Sequence, residues 1–335
     1  MGALRAAVIG AMATGVHRAG LTTTVSRVAG YARREVGFQV LKYHRVNDDA
    51  DPFFPALATE LFERQMALLA RTYVVLPVEE LVERMRRREL PRHAVAITFD
   101  DGYRDNLTHA APILARYGLP ATIFLTTGLI GTGDTAWFDR IADAFKRTRA
   151  EAYRTPWGQI LPLHTEAARV AALGRMLDYM KQLSDDEVRR TVETLHGGLD
   201  VSQESDLKSS MLNWDDVHAL RGMGFTIGAH TVSHPILSRV SLGRAQDEIR
   251  DSRAMIAAAC GQAPCAFAYP NGAAADYTEM VSRLVREAGF TCAVTTRFGI
   301  NTPQTPPYEL RRGGPWESHL PTFALKLAFY RLTQG

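Results

Sequence analysis

Cysteine is scarce in this chain of 335 residues. There are three, Cys260, Cys265 and Cys292; an odd count with no CxxC pair argues against a disulfide framework and against a zinc–thiolate site. Cys265 and Cys292 fall in apolar runs, where a thiol packs as a small hydrophobe. Blocks of like charge are missing too. The net charge is +3, too mild a bias to mark a nucleic-acid partner. The densest basic run, Arg84, Arg86, Arg87 and Arg88, shares a helical pattern with Glu79, Glu80 and Glu83 and reads as a solvated helix face. No stretch is apolar for long enough to span a bilayer. Internal repeats and low-complexity tracts are absent.

The first 35 residues need separate treatment. A short apolar run, Ala6 to Gly15, follows Arg5, but no convincing signal-peptide cleavage site comes after it. Arg27, Arg33 and Arg34 then accompany Leu21, Val25 and Val28 at helical spacing. Residues 1–35 are therefore expected to form a basic amphipathic segment, packed on the outside of the domain or resting on a membrane surface. A cytoplasmic or peripheral-membrane location follows as the expectation.

What the chain does contain is alternation. It is 46% apolar and 22% charged, ordinary for a globular protein with a large core. Strand-like runs occur at Phe38–Val46, Val95–Asp100, Ala121–Thr127, Phe225–His230, Cys265–Pro270, Thr291–Arg297 and Tyr308–Arg312. Helical patterns over 57–72, 77–89, 104–117, 243–260 and 273–288 lie between them. This order predicts a parallel sheet with crossover helices, and about seven near-continuous apolar strands predict a closed or nearly closed barrel. Residues 135–210 break the rhythm. They read as two or three helices, about 136–148, 165–182 and 184–196, with no clear strand, and are too long for a plain connection. A helical insertion is expected there. The apolar Phe323–Leu332 predicts a helix within a C-terminal unit of 316–335.

Chemistry-bearing residues gather at strand ends. Val95-Ala-Ile-Thr-Phe-Asp100-Asp101-Gly102-Tyr103 brings two adjacent carboxylates to the C-terminal end of a strand, where parallel α/β folds build their sites. Paired acids are costly unless a cation or a shared proton compensates. Alone, an Asp-Asp-Gly is more often a turn and helix cap. Phe225-Thr-Ile-Gly-Ala-His230-Thr-Val-Ser-His234 changes that balance. One helical turn after the strand would point both imidazoles one way, and two imidazoles with a carboxylate make a catalytic divalent-metal shell. A third run, Ala266-Phe-Ala-Tyr269-Pro270-Asn271-Gly272, ends a strand in a turn whose backbone N–H groups can face a developing oxyanion.

Together Thr98-Phe-Asp-Asp-Gly-Tyr103 and His230-Thr-Val-Ser-His234 resemble the polysaccharide deacetylases, the NodB-homology proteins of carbohydrate esterase family 4. The resemblance spans about residues 38–315, and the domain is bounded at 36–315. It implies a distorted (β/α)7 barrel and a divalent metal, usually Zn2+, held by Asp101, His230 and His234. It also implies Asp100 as general base, and a backbone N–H at Asn271, in the Tyr269-Pro270-Asn271 turn, on the oxyanion. The sequence departs from the usual pattern twice. Ala268 stands where an Arg commonly orients the base, and Arg312 is the candidate substitute. The catalytic-acid His usually lies near the C-terminus. Here Val40-Leu-Lys-Tyr43-His44-Arg45 has that character at the N-terminal side, similar to the circularly permuted poly-N-acetylglucosamine deacetylase subgroup. His44 is the expected acid and His319 the fallback.

The expected activity is hydrolysis of N-acetyl groups on a carbohydrate. Tyr103 and Trp137 are candidate sugar platforms; Trp214 reads as a packing residue at a helix start. The same residues would serve an O-acetyl esterase. A non-catalytic carbohydrate-binding protein is the reading from another class, supported only by the missing Arg.

Overall fold

Structure begins, for the described residues 37–201, 207, 210–314 and 319–333, with a strand and proceeds by alternation. In the computed structural model the order is β1 (Phe38–Tyr43), α1 (Thr59–Thr72), β2 (Val74–Val75), α2 (Val78–Arg86) and β3 (Ala94–Phe99). A π-helical turn at Asn106–Ala110 leads into α3 (Ala111–Arg116), followed by β4 (Thr122–Leu125). The insertion holds α4 (Trp137–Arg147), β5 (Ala152–Arg154), β6 (Ile160–Pro162), α5 (Glu166–Met180) and α6 (Asp185–Gly198). The main layer resumes with α7 (Trp214–Gly222), β7 (Thr226–Ala229), α8 (Leu242–Cys260), β8 (Ala266–Ala268), α9 (Glu279–Glu287), β9 (Cys292–Val294) and α10 (Leu320–Thr333).

The main sheet is parallel throughout, in the order β1-β3-β4-β7-β8-β9, with β2 pairing beside β3. All six residues of β3 are buried, because helices and barrel interior cover both faces; such strands read as continuous apolar runs. The sheet curls until its two ends meet. Residues 308–313 lie in the seam, with Leu310 bridging Val294 and Gly313 bridging Leu41. Gly313 N–H donates to Val40 O at 2.8 Å and Lys42 N–H to Gly313 O at 2.9 Å.

Three expectations are corrected here. The run 308–312 was expected to be a seventh strand, but it makes only isolated bridges. Pro306 and Pro307 lack N–H donors, and the Asn301 side chain takes both backbone groups of Arg311 (2.8 and 2.9 Å). The insertion does contain strands, since β5 and β6 form an antiparallel hairpin turning at Gly158, whose φ is 85°. Cys265 is exposed, whereas Cys260 and Cys292 are buried.

Strand alternation sorts the core into two faces. Phe38, Val40, Ala94, Ala96, Phe124, Ala266, Ala268 and Val294 share an inner cluster with Val78, Leu81 and Val82 of α2. That helix closes the N-terminal end of the strands, where Arg86 Nη2 donates to Thr291 O. Small inner residues leave room for large ones: a Cβ on Gly228 would stand 2.3 Å from the Phe124 ring. Leu41, Val95, Ile97, Phe99, Ile123 and Phe267 face outward into the helical layer, which α10 joins through Phe323 and Leu327. The insertion has its own core of Phe145, Leu161, Met176 and Leu195, extended by Phe53 and Phe54 from the loop after β1. No described helix is long and apolar enough to cross a membrane. The amphipathic segment expected over residues 1–35 lies outside the described residues.

Candidate metal centre and its cavity

The inner-face alternation carries function at the C-terminal strand ends. Continuing past Val40 it reaches Lys42 and His44; past Ala96 it reaches Thr98 and Asp100; past Gly228 it reaches His230. Directly after Asp100 the chain reverses, with Asp101 and Gly102 both in the left-handed region (φ 76° and 90°). That conformation is tolerated by Asp better than by most residues. It lets two successive carboxylates stay at one site, buried at 2% and 3% exposure.

The route from His230 to His234 differs from the expected helical turn. Thr231 and His234 both have positive φ (67° and 61°), and the loop is held by a buried acid. Glu248 of α8 accepts the N–H groups of Val232 and Ser233 at 2.7 and 2.9 Å and the Ser233 hydroxyl at 2.6 Å. Arg244 pairs with the same carboxylate at 2.7 Å. The His234 N–H donates to Thr231 Oγ1 at 3.0 Å. The strain of two left-handed residues is thus balanced by a saturated carboxylate.

This turn brings three donor atoms together. Asp101 Oδ1 stands 3.5 Å from His230 Nε2 and 3.4 Å from His234 Nε2. Those separations exceed a good hydrogen bond. They match donors about 2.0–2.1 Å from one tetrahedral ion, which stand about 3.3–3.4 Å apart. Two further observations fit a cation. The His230 Nδ1–H donates to Ala268 O at 2.7 Å, so its Nε2 lone pair faces Asp101. Asp101 Oδ1 itself is buried with no hydrogen-bond partner, an expense that a metal removes. Burial raises the Asp101 carboxyl, but His230 and His234 outweigh it and hold it at about 2. Burial and then His230 lower His234 to about 4. A carboxylate beside neutral His234 is the protonation state a divalent ion needs. The three residues form the one such His/Cys/Asp/Glu group among the described residues.

Asp100 is separately committed. Arg312 grips it with both nitrogens, Nη1 to Oδ1 at 2.7 Å and Nη2 to Oδ2 at 2.8 Å. The guanidinium is fixed by Nε–H donation to Thr295 O at 2.8 Å and an Nη1 bond to Thr98 Oγ1 at 3.3 Å. Burial opposes ionisation, yet Arg312 and His230 hold Asp100 well below the ordinary carboxylate range. His44 Nε2 lies 4.0 Å from Asp100 Oδ2. Burial lowers the imidazole's pKa, with Asp101 and Asp100 pulling it back up.

All of this faces one cavity of about 700 Å³, lined by Asp100, Asp101, His44, His230 and His234. Tyr103, Trp137, Tyr269 and Asn271 also line it, whereas Pro270 and Arg312 do not. Tyr103 is buried, its hydroxyl donating to Asp139 Oδ2 at 2.9 Å. Tyr269 bonds Tyr308 O at 3.0 Å and stacks on Tyr277. Asn271 sits at φ 57° in a tight turn, pinned by a Thr296 hydroxyl on its carbonyl at 2.7 Å. His319 is not a lining residue; its carbonyl accepts the N–H groups of Thr322 and Phe323 at the start of α10. Trp214 packs on the main core.

Sequence reasoning missed several lining residues. Lys42 could have been found, since it precedes His44 by one strand period. Phe53, Phe54, Phe138, Asp139 and Lys181 gave no local signal, and neither did Glu248.

Comparison with known proteins supplies the family context. Residues 87–293 match the family model described as polysaccharide deacetylase. A poly-beta-1,6-N-acetyl-D-glucosamine N-deacetylase of Escherichia coli is 33% identical over 110 residues, 32% of this chain and 15% of that protein. The match thus spans less than a sixth of that relative's length. A Staphylococcus epidermidis protein of the same name is 23% identical over 205 residues, covering 56% of this chain and 70% of it. Among solved structures, the Streptococcus pyogenes deacetylase PplD in complex with acetate superposes with TM-score 0.61 at 20% identity, over 88% of this chain and 99% of that one. IcaB from Ammonifex degensii gives 0.56 at 20%, over 87% and 97%. At these identities the likeness establishes a shared fold.

Proposed function

The chain belongs to the polysaccharide deacetylase family, and from that premise we propose that it hydrolyses N-acetyl groups on a polysaccharide or glycan, with a divalent metal, Zn2+ by preference, held by Asp101, His230 and His234. One observation carries the reading. A buried carboxylate oxygen without a hydrogen-bond partner faces two imidazole nitrogens at 3.4 and 3.5 Å, beside a second carboxylate held by Arg312. A pure binding protein has little use for a second, ionised acid at that place, which weakens the non-catalytic alternative.

When bound, a divalent ion supplies a Lewis acid for the acetyl carbonyl and lowers the pKa of a coordinated water. The remaining work falls to the chain. Asp100 receives the water's proton on the oxygen side facing the cavity, while Arg312 keeps the carboxylate ionised and fixed in orientation. The Asn271 turn presents backbone to the oxyanion. His44, with Nε2 4.0 Å from Asp100 Oδ2, accepts the proton from Asp100 and delivers it to the departing nitrogen. A ring whose pKa is lowered by burial is neutral when it must accept and acidic enough to donate. The carbon–nitrogen bond breaks, a carbon–oxygen bond forms, and acetate and a free amine leave. Trp137 contributes the aromatic surface expected of a sugar site, whereas the Tyr103 ring is buried beneath the Arg45 guanidinium.

Acetate release from a panel of N-acetylated and O-acetylated oligosaccharides, with and without added zinc, tests this. Zinc-dependent release from the N-acetylated members is expected. Release only from O-acetyl esters would assign an esterase. Stoichiometric zinc with no release from any member would assign a binding protein.

A further inference from the structure

The cavity carries more positive charge than the proposed hydrolysis uses. Asp100 is neutralised by Arg312, and Asp101, beside two neutral imidazoles, is committed to the proposed divalent ion. Three cations remain around the same space, Lys42, Arg45 and Lys181, against two acids, Asp139 and Asp276. Neither acid answers them fully. Asp276 Oδ2 accepts the Ala273 N–H at 2.8 Å. Asp139 accepts the Tyr103 and Thr135 hydroxyls on one oxygen, and burial pushes it up to about 6 despite Arg45.

Each cation is poised in its own way. Lys42 stands two residues before His44 on the inner face of β1, half-buried, and its Nζ makes no hydrogen bond or ion pair among the described residues. Burial and then Arg312 lower its pKa, Asp100 and Asp101 pull it back up, and Lys181 lowers it a little further, so the two lysines feel each other across the cavity. The Arg45 guanidinium is fixed over the rings of Tyr103 (4.1 Å) and Phe54 (5.1 Å). Its Nε and Nη2 have no hydrogen-bond partner, and its nearest carboxylate, on Asp139, is 3.8 Å away. Lys181 has only Asp178 at 3.9 Å, both exposed, a pairing worth little. Phe53, Phe54 and Phe138 also line the cavity and lower the local dielectric, which strengthens any charge pairing made there. Gathering only partly compensated cations around such a space costs free energy, and an anionic ligand removes that cost.

Resting on the hydrolysis reading above, the geometry points to a substrate that carries an anionic group, a carboxylate or a phosphate, next to its acetylated sugar, with Lys42, Arg45 and Lys181 seating that group while the acetamide lies at Asp101. The shared chemistry is an anionic oxygen cluster. A uronic acid in the glycan and a phosphate at the sugar's reducing end are its two sources.

Calorimetry on the zinc-loaded full chain separates them. The probes are N-acetylglucosamine 1-phosphate, a glucuronyl–N-acetylglucosamine disaccharide, and neutral N,N′-diacetylchitobiose. One anionic probe is expected to bind at least about tenfold tighter than the neutral one, with the margin shrinking as salt screens the pairing; the tighter of the two names the source. Lys42→Met and Lys181→Met should each reduce the margin several-fold with zinc content unchanged. Lys181 is exposed, so that variant stays informative if the buried one folds poorly. Equal binding of all three probes overturns the inference. So does a margin that survives both substitutions, because the metal alone would then be holding the anion. Acetate release from the same probes is scored separately. A binding margin without turnover overturns the hydrolysis and leaves the anion seat standing; turnover without a margin does the reverse.

Discussion

At the scale of single residues, two aspartates adjacent in sequence take different partners. Asp100 meets a fixed guanidinium fork, and Asp101 meets two imidazole lone pairs. Replacing Asp100 by Asn keeps shape and removes the proton acceptor; kcat for acetate release should fall about 10³-fold, within the typical range for one general base, and Arg312 is left unpaired as well. Zinc content should stay near one, and a substantial residual rate would show that another group takes the proton. Arg312→Lys keeps the charge but loses the fork, and should cost at least about tenfold in kcat with little change in KM. A pH dependence of stability follows from His234. Its folded pKa of about 4 lies below the unfolded value of about 6.5. Between those values the unfolded chain binds a proton that the buried ring refuses, so stability falls as pH drops through that window and rises again as pH is raised. Asp139, raised to about 6, contributes in the opposite sense over much of that window, so the melting temperature of the zinc-free protein should decline between about pH 6.5 and 4 relative to that of a His234→Gln variant, and excess zinc near neutral pH should raise it.

At the scale of elements, the site is a property of strand tips and the short loops that leave them. The loop from His230 to His234 holds its left-handed turns because Glu248 saturates it from α8. Glu248→Gln should weaken zinc binding about 10–100-fold, the usual cost of disturbing a ligand's support, without altering the circular dichroism of the fold; unchanged zinc affinity would reduce Glu248 to a packing role. This loop also marks where sequence stops being legible. The paired acids are adjacent and the paired histidines only four residues apart, so the chemistry could be read from the chain alone. The long apolar β3 could be read for the same reason. The backbone path between the histidines could not, since Glu248 lies fourteen positions beyond His234 within an ordinary amphipathic pattern. The two-residue β2 and three-residue β5 and β6 are too short to show a period. The run 308–312 looks like a strand, but the Asn301 side chain, ten positions before Arg311, takes both of that residue's backbone groups.

At the scale of the whole molecule, the barrel supplies the reacting groups, and the insertion with the Phe53–Phe54 loop supplies a wall. Trp137 lines the cavity from that wall, packed on the insertion's core. Trp137→Ala should raise KM about tenfold and leave kcat nearly unchanged; an equal loss in kcat would place the indole in the chemistry instead. The mild net charge of +3 conceals a local excess, since surface arginines such as Arg84, Arg87, Arg189 and Arg250 pair with neighbouring glutamates and aspartates while the cavity keeps its own. The seam of the barrel carries one more consequence. Arg312 travels on the stretch that zips Leu310 to Val294 and Gly313 to Leu41, the contact that joins the two ends of the ring. With that stretch undocked Asp100 would lack its counterion, whereas Asp101, His230 and His234 all lie outside it. Competence for turnover therefore arrives only with completed assembly, and zinc uptake during refolding should precede recovery of activity.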